Sequence, residues 1–239
     1  MAALVSSSPT LSQVLDRADV WRGDTLARAP LPGVPTGFAE LDCELPGGGW
    51  PRGGLIEILP VHRGIGELSL LLPALARLST DELSWLVCVA PPHPLHAPAL
   101  QAGGIALSRL LVASAPGRDA VWACERSLAA DGVGAVVAWL PEVQATSLRR
   151  LQLAAERSGT LLFVFRPAAC ASQSSPAPLR LLLDGEGEQL SVRLLKRRGG
   201  AQPAPLSIAI QRPLRLSHAL ACPASTAPVA RSLSRPAIA

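Results

Sequence analysis

Apolar residues in this chain gather into short unbroken runs separated by stretches of helical spacing. Leu55–Leu59 (LIEIL), Trp85–Ala90, Leu110–Ala113, Ala135–Leu140 and Leu161–Phe165 (LLFVF) read as strands buried on both faces. Between them, Glu67–Ser79 places Leu68, Leu71, Leu72 and Leu75 on one helical face. Asp119–Ala130 turns Val121, Cys124 and Leu128 inward, and Thr146–Arg157 reads as a third helix. Strands alternating with helices of about a dozen residues predict βαβ units and a mostly parallel twisted sheet flanked by helices. The span Leu83–Ser108 carries no formal charge and could cross a bilayer by length. Pro91, Pro92, Pro94 and Pro98 forbid a continuous helix there, so it reads as a buried strand followed by a loop.

The rhythm changes after Arg166. Residues 168–178 (AACASQSSPAP) read as a mobile loop. Leu179–Asp184, Leu190–Lys196 and Leu206–Gln211 then follow as strands with no helices between them, extending the sheet in antiparallel fashion. At the other end, Thr10 opens a short helix. Gln13 completes a capping box there, and Leu11, Val14, Leu15 and Ala18 form its apolar face. Turn-rich sequence from Ala29 to Gly54 separates that helix from the core. The expected division is a helical arm over residues 1–28, a core over 29–216 and a disordered Ala/Pro/Ser-rich tail over 217–239.

Of the 239 residues, 49% are apolar and 17% charged, which excludes a wholly disordered chain, a collagen and a disulfide scaffold. Five scattered cysteines without a CxxC pair, and an N-terminus without a basic segment before an apolar run, point to reduced thiols in a cytoplasmic protein. Residues 1–130 hold 9 arginines against 12 acids, whereas residues 131–239 hold 13 basic groups against 6 acids. A basic second half suits either a polyanionic partner or a solvated arginine surface.

Lys196 is the only lysine in the chain, and this decides a chemical question. The first strand, LIEIL, runs into Pro60-Val61-His62-Arg63-Gly64-Ile65-Gly66-Glu67, where a strand–loop–helix unit would hold a phosphate loop. Such a loop needs a lysine on the terminal phosphates and a hydroxyl on magnesium. Gly66 and Glu67 stand in the nearest equivalent places, and a carboxylate at a helix start repels phosphate. The strand Gly134–Trp139 ends without an acid, and the strand before it ends in Val89-Ala90-Pro91-Pro92. A lysine, a magnesium-binding acid and a water-activating carboxylate are all missing. The loop, with Arg63, Gly64, Gly66 and Glu67, is expected to be a degenerate P-loop binding no cofactor.

The run Pro35-Thr36-Gly37-Phe38-Ala39-Glu40-Leu41-Asp42, then LPGGGWPRGG (Leu45–Gly54) and LIEI, is similar to the approach to the P-loop in RecA. VWRG (Val20–Gly23), GIGELSLLLPALARL (Gly64–Leu78), APPHPLHAPAL (Ala90–Leu100) and LKRRGG (Leu195–Gly200) resemble the ImuA family, which is RecA-like without a working P-loop. His96 departs from the aromatic expected at its position. The resemblance covers about residues 10–212. It implies a RecA-like core and a non-catalytic accessory role in DNA-damage-induced (SOS) translesion synthesis. The implied partners are RecA and/or a Y-family-like ImuB protein with an error-prone DnaE-type polymerase, with weak DNA contact and no membrane. Two alternatives stand beside it: a non-standard DNA-dependent ATPase using arginine for lysine, and a SulA-like division inhibitor.

Candidate partner contacts are Leu11, Val14, Leu15 and Trp21 on the arm, and Trp50, either a surface anchor or an apolar plug over its turn. Lys196, Arg197 and Arg198 form a basic strand end able to meet phosphate or a neighbouring subunit. His93 and His96 lack the further ligands that zinc requires. The 168–178 loop has neither basic nor aromatic residues for DNA.

Overall fold

The computed structural model describes residues 33–186, 188–197 and 204–210. Leu11, Val14, Leu15, Trp21, Arg198, the arm and the tail lie outside the described residues. Two residues each of β1 (Gly33–Val34) and β2 (Trp50–Pro51) pair antiparallel, enclosing α1 (Ala39–Glu44). The main sheet comprises β3 (Leu55–Pro60), β4 (Trp85–Val89), β5 (Leu110–Ala113), β6 (Val133–Trp139), β7 (Leu161–Phe165), β8 (Leu179–Glu186), β9 (Gln189–Lys196) and β10 (Leu206–Ala209). Its spatial order is β10-β9-β8-β3-β7-β6-β4-β5. The six strands from β8 to β5 are parallel, and β9 and β10 join antiparallel, as the loss of intervening helices predicts.

Helices cover both faces, which is why the central strands are apolar at nearly every position, Glu57 of β3 excepted. Ile56, Ile58, Leu86, Val137 and Phe163 face α1, α2 (Leu72–Thr80) and α3 (Ala97–Ala102). Leu55, Val87, Val136, Leu162 and Val164 face α4 (Arg118–Leu128) and α5 (Ala145–Ser158). This is an α/β fold with a mostly parallel mixed sheet.

Three local expectations need correction. The helix expected from Glu67 begins at Leu72, and residues 62–71 are turns. Pro73 is the cause: it fits only the first turn of a helix, because its ring and missing N–H break any earlier start. The proline-rich stretch expected as loop contains α3, with Pro98 likewise in its first turn. The segment expected to be mobile holds a 3-10 turn over Ala168–Ser172, and Cys170 and Ala177 in it are buried.

The turn before α1 has a specific backbone requirement. Gly37 sits at φ +90°, and a Cβ there would lie 2.4 Å from Cβ of Pro73. Thr36 is buried, with its N–H donating to Asp42 Oδ1 at 2.8 Å. The Pro-Thr-Gly and Leu-Asp pieces of the sequence thus close one turn against the start of α2.

Candidate functional site

In open parallel sheets, ligands bind beyond the carboxyl ends of the strands, where crossovers change direction. At that edge β3 runs into the 61–71 turns. Gly64 (φ +77°) and Gly66 (φ +97°) both adopt the left-handed conformation that curls backbone amides around an anion. The anion present is the chain's own. Gly64 N–H donates to Glu67 Oε1 at 3.1 Å, and Gly66 N–H donates to Glu67 Oε2 at 3.2 Å. Glu67 therefore occupies both amides from within the loop, rather than from a helix start as the sequence predicts. Arg63 is exposed beside it.

The ends of β4 and β6 carry no magnesium-type acid, whereas β8, paired with β3, carries exposed Asp184 one residue past the partner of Pro60. Trp139, at the end of β6, stacks on Phe165 with ring centroids 5.2 Å apart. Glu142 lies beyond it, exposed. Just past the end of β4, Ala90 takes φ +52°, a left-handed backbone at a residue with a side chain. A groove of about 720 Å³ runs along this edge, walled by Ala90, Arg118, Trp122, Trp139, Glu142 and Arg150. Trp122 is exposed with Arg126 over its ring, and Arg150 pairs with Glu125.

A buried ionic cluster escapes the sequence reading. Glu57, in the middle of β3, is fully buried, and Arg166 and Arg180 beside it are each 6% exposed. Arg166 Nη1 donates to Glu57 Oε1 at 2.7 Å, and Arg180 Nε donates to the other carboxylate oxygen. Arg180 also donates to the carbonyls of Cys170 (2.8 Å) and Ala171 (3.2 Å), and Arg166 to Gln173 Oε1 (3.0 Å). Two guanidiniums from β8 and the end of β7 thus neutralise one carboxylate and pin the 168–177 segment over it. The available signal was an acid inside LIEIL, since a fully buried carboxylate must be paired.

The expected contact residues divide. Trp50 is fully buried, edge-on to Phe163 with centroids 5.3 Å apart, so it is a plug and not a surface anchor. Of the basic strand end, Lys196 and Arg197 lie among the described residues, and of these two Lys196 is exposed. Arg197 is half-buried and donates to the carboxylate of Glu44 at 2.7 Å and to its backbone carbonyl. Lys196 is exposed, and its Nζ donates to the carbonyl of Ser175 at 2.9 Å. Arg197 also walls a cavity of about 370 Å³ at the amino edge of the sheet, with Leu45, Pro51, Gly53 and Pro178. Among the described residues, no cluster of three His, Cys, Asp or Glu side chains could hold a metal ion. Among them, no helix is long and apolar enough to cross a membrane.

A protein named cell division inhibitor SulA from Photorhabdus laumondii is 33% identical over 112 residues, covering 46% of this chain and 63% of its own. A protein named ImuA from Caulobacter vibrioides is 31% identical over 137 residues, covering 55% of this chain and 56% of its own. Another SulA, from Edwardsiella piscicida, is 26% identical over 118 residues, covering 49% and 70%. The chain thus spans less than two thirds of the length of the first two. Residues 44–170 match the family model described as the MT3502 N-terminal domain, and since this is more than half of the 239 residues, the chain belongs to that family.

Proposed function

We propose that this protein is a non-catalytic accessory of DNA-damage-induced mutagenesis, with a RecA-like core kept for docking rather than nucleotide chemistry. The observation that carries the reading is the loop after β3. Its two left-handed glycine amides are saturated by Glu67, so a nucleotide phosphate would have to displace an intramolecular carboxylate. No lysine is available to favour that exchange, and the ends of β4 and β6 offer no acid for magnesium. The strand order supports the RecA-like assignment, because β3 and its loop lie centrally between β8 and β7.

Similarity to a protein named ImuA supports the placement in SOS mutagenesis. On this reading the chain docks onto RecA and/or an ImuB-like protein and its DnaE-type polymerase, as a cytoplasmic protein. The similarity to proteins named SulA supports a second reading, a cell-division inhibitor.

Two measurements test the proposal. Purified protein should release no phosphate from ATP above background in the presence of single-stranded DNA. A rate that disappears in Arg63→Ala would overturn the pseudo-ATPase reading and favour the arginine-based ATPase. In cells, deleting the gene should lower the frequency of damage-induced mutation. Unchanged mutation frequency, together with filamentation when the protein is overproduced, would establish the division inhibitor instead.

A further inference from the structure

One margin of the main sheet is β5, four residues long and paired only with β4. Leu111 is 51% exposed and Val112 is 49% exposed. Consecutive strand residues point to opposite faces, so neither helix layer reaches over this margin. Leu111 is in register with Val87 on the α4/α5 face, and Val112 with Cys88 on the other. Natural sheets blunt such margins with charges, prolines or bulges. β5 has none: its sequence is Leu-Leu-Val-Ala and its pairing with β4 is regular.

The backbone fixes which groups are unpaired. The Ala113 carbonyl accepts from Ala90 N–H at 2.8 Å, so Ala113 points its backbone groups at β4. Leu111 does the same by alternation, which turns the N–H and C=O of Val112 and the C=O of Leu110 outward, while the Leu110 N–H donates to the Leu107 carbonyl.

From this we infer that β5 pairs antiparallel with β5 of a second copy, across a two-fold axis normal to the sheet. A strand completing this margin must be uncharged and apolar on both faces, and β5 itself meets that requirement. Centring the axis on Val112 lets each Val112 exchange both backbone bonds with its counterpart, as a hydrogen-bonded antiparallel pair does. Leu111 then lies opposite Ala113 of the partner subunit, large against small. No charged residue occurs from Leu110 to Gly117, so the axis brings no like charges together. The two sheets become one continuous sheet through the dimer. Four residues a side give a smaller contact than the roughly 1,200–2,000 Å² of tight complexes, so the dimer is concentration-dependent.

Sedimentation velocity of the full chain over a concentration series reads the outcome. Wild type should pass from monomer to dimer as concentration rises. Val112→Pro removes only an outward N–H, which an edge strand tolerates. Leu111→Lys places a charge on an already exposed position, so it preserves the fold if the proline variant does not. Each should weaken dimerisation by about tenfold or more, since the two-fold doubles every lost interaction. A wild type that stays monomeric throughout would overturn the proposal. So would a dimer that persists unchanged in folded Leu111→Lys, because the contact would then lie elsewhere.

Discussion

Replacing Glu57 by glutamine keeps the side-chain shape and removes the only carboxylate between Arg166 and Arg180. All three side chains are at least nine-tenths buried, so water cannot take over the lost pairing. Removing one partner from a buried ionic group costs about 3–5 kcal/mol, because the remaining charge stays desolvated. Against a typical total of about 5–15 kcal/mol, this is a large fraction of the stability. For a domain of this size it corresponds to a fall of roughly 6–20 °C in Tm. Urea unfolding followed by tryptophan fluorescence measures it, with Trp50 and Trp139 packed in the same core as reporters. A loss below about 1 kcal/mol would refute the reading of Glu57 as the neutralising centre.

A second variant separates stability from specification. Changing Glu57, Arg166 and Arg180 together to leucine or methionine removes the three buried charges of the cluster and should recover most of the loss. It also removes the bonds from Arg180 to the carbonyls of Cys170 and Ala171, and from Arg166 to Gln173. Hydrogen exchange in residues 168–177 should therefore accelerate even where global stability is restored. Unchanged protection of that segment would show that its own packing, with Cys170 and Ala177 inward, holds it in place.

Three further outcomes follow from single sites. Gly37→Ala forces a Cβ to 2.4 Å from Pro73 at φ +90°, and should cost about 1–3 kcal/mol in urea unfolding; equal stability would show that the turn relaxes freely. Arg197→Ala should destabilise by about 1–2 kcal/mol through its bonds to Glu44, whereas Lys196→Ala should change stability little, so a DNA-binding assay on Lys196→Ala tests a surface role without disturbing the fold. Burial pushes the thiols of Cys88 and Cys124 up to about 12, with Glu125 adding to the effect at Cys124. Native protein should then alkylate at exposed Cys43 while Cys88 and Cys124 stay protected. Because the unfolded thiols ionise near 9.0, their contribution to stability is intact below that pH and is lost as pH rises towards about 12. Stability rising over that interval would contradict the burial.

Strand positions were legible because the chemistry that sets them is local. LLFVF lies in the middle of a sheet covered on both faces, so every position must be apolar, and the strand spans those same five residues. Helix starts were less legible, since leucines at 68, 71, 72 and 75 keep a helical period through turns that Pro73 holds out of the helix. The loop's lack of a lysine and the presence of Glu67 could be read directly. The partners of Glu57 could not, as they lie 109 and 123 residues away and meet it only when β3 sits between β7 and β8. That dependence also works in reverse. Glu57 stands in direct register with Arg180, and a one-residue slip of β8 would place Leu179 or Leu181 opposite it and turn Arg180 towards the other helix layer. A buried carboxylate facing leucine is costly, so the pair selects both the neighbour and the register of β3. Apolar patterning alone, equally satisfied by several orders of leucine-rich strands, would leave that choice open. The triple apolar variant should accordingly fold with a broader spread of β8 registers than wild type, even at equal stability.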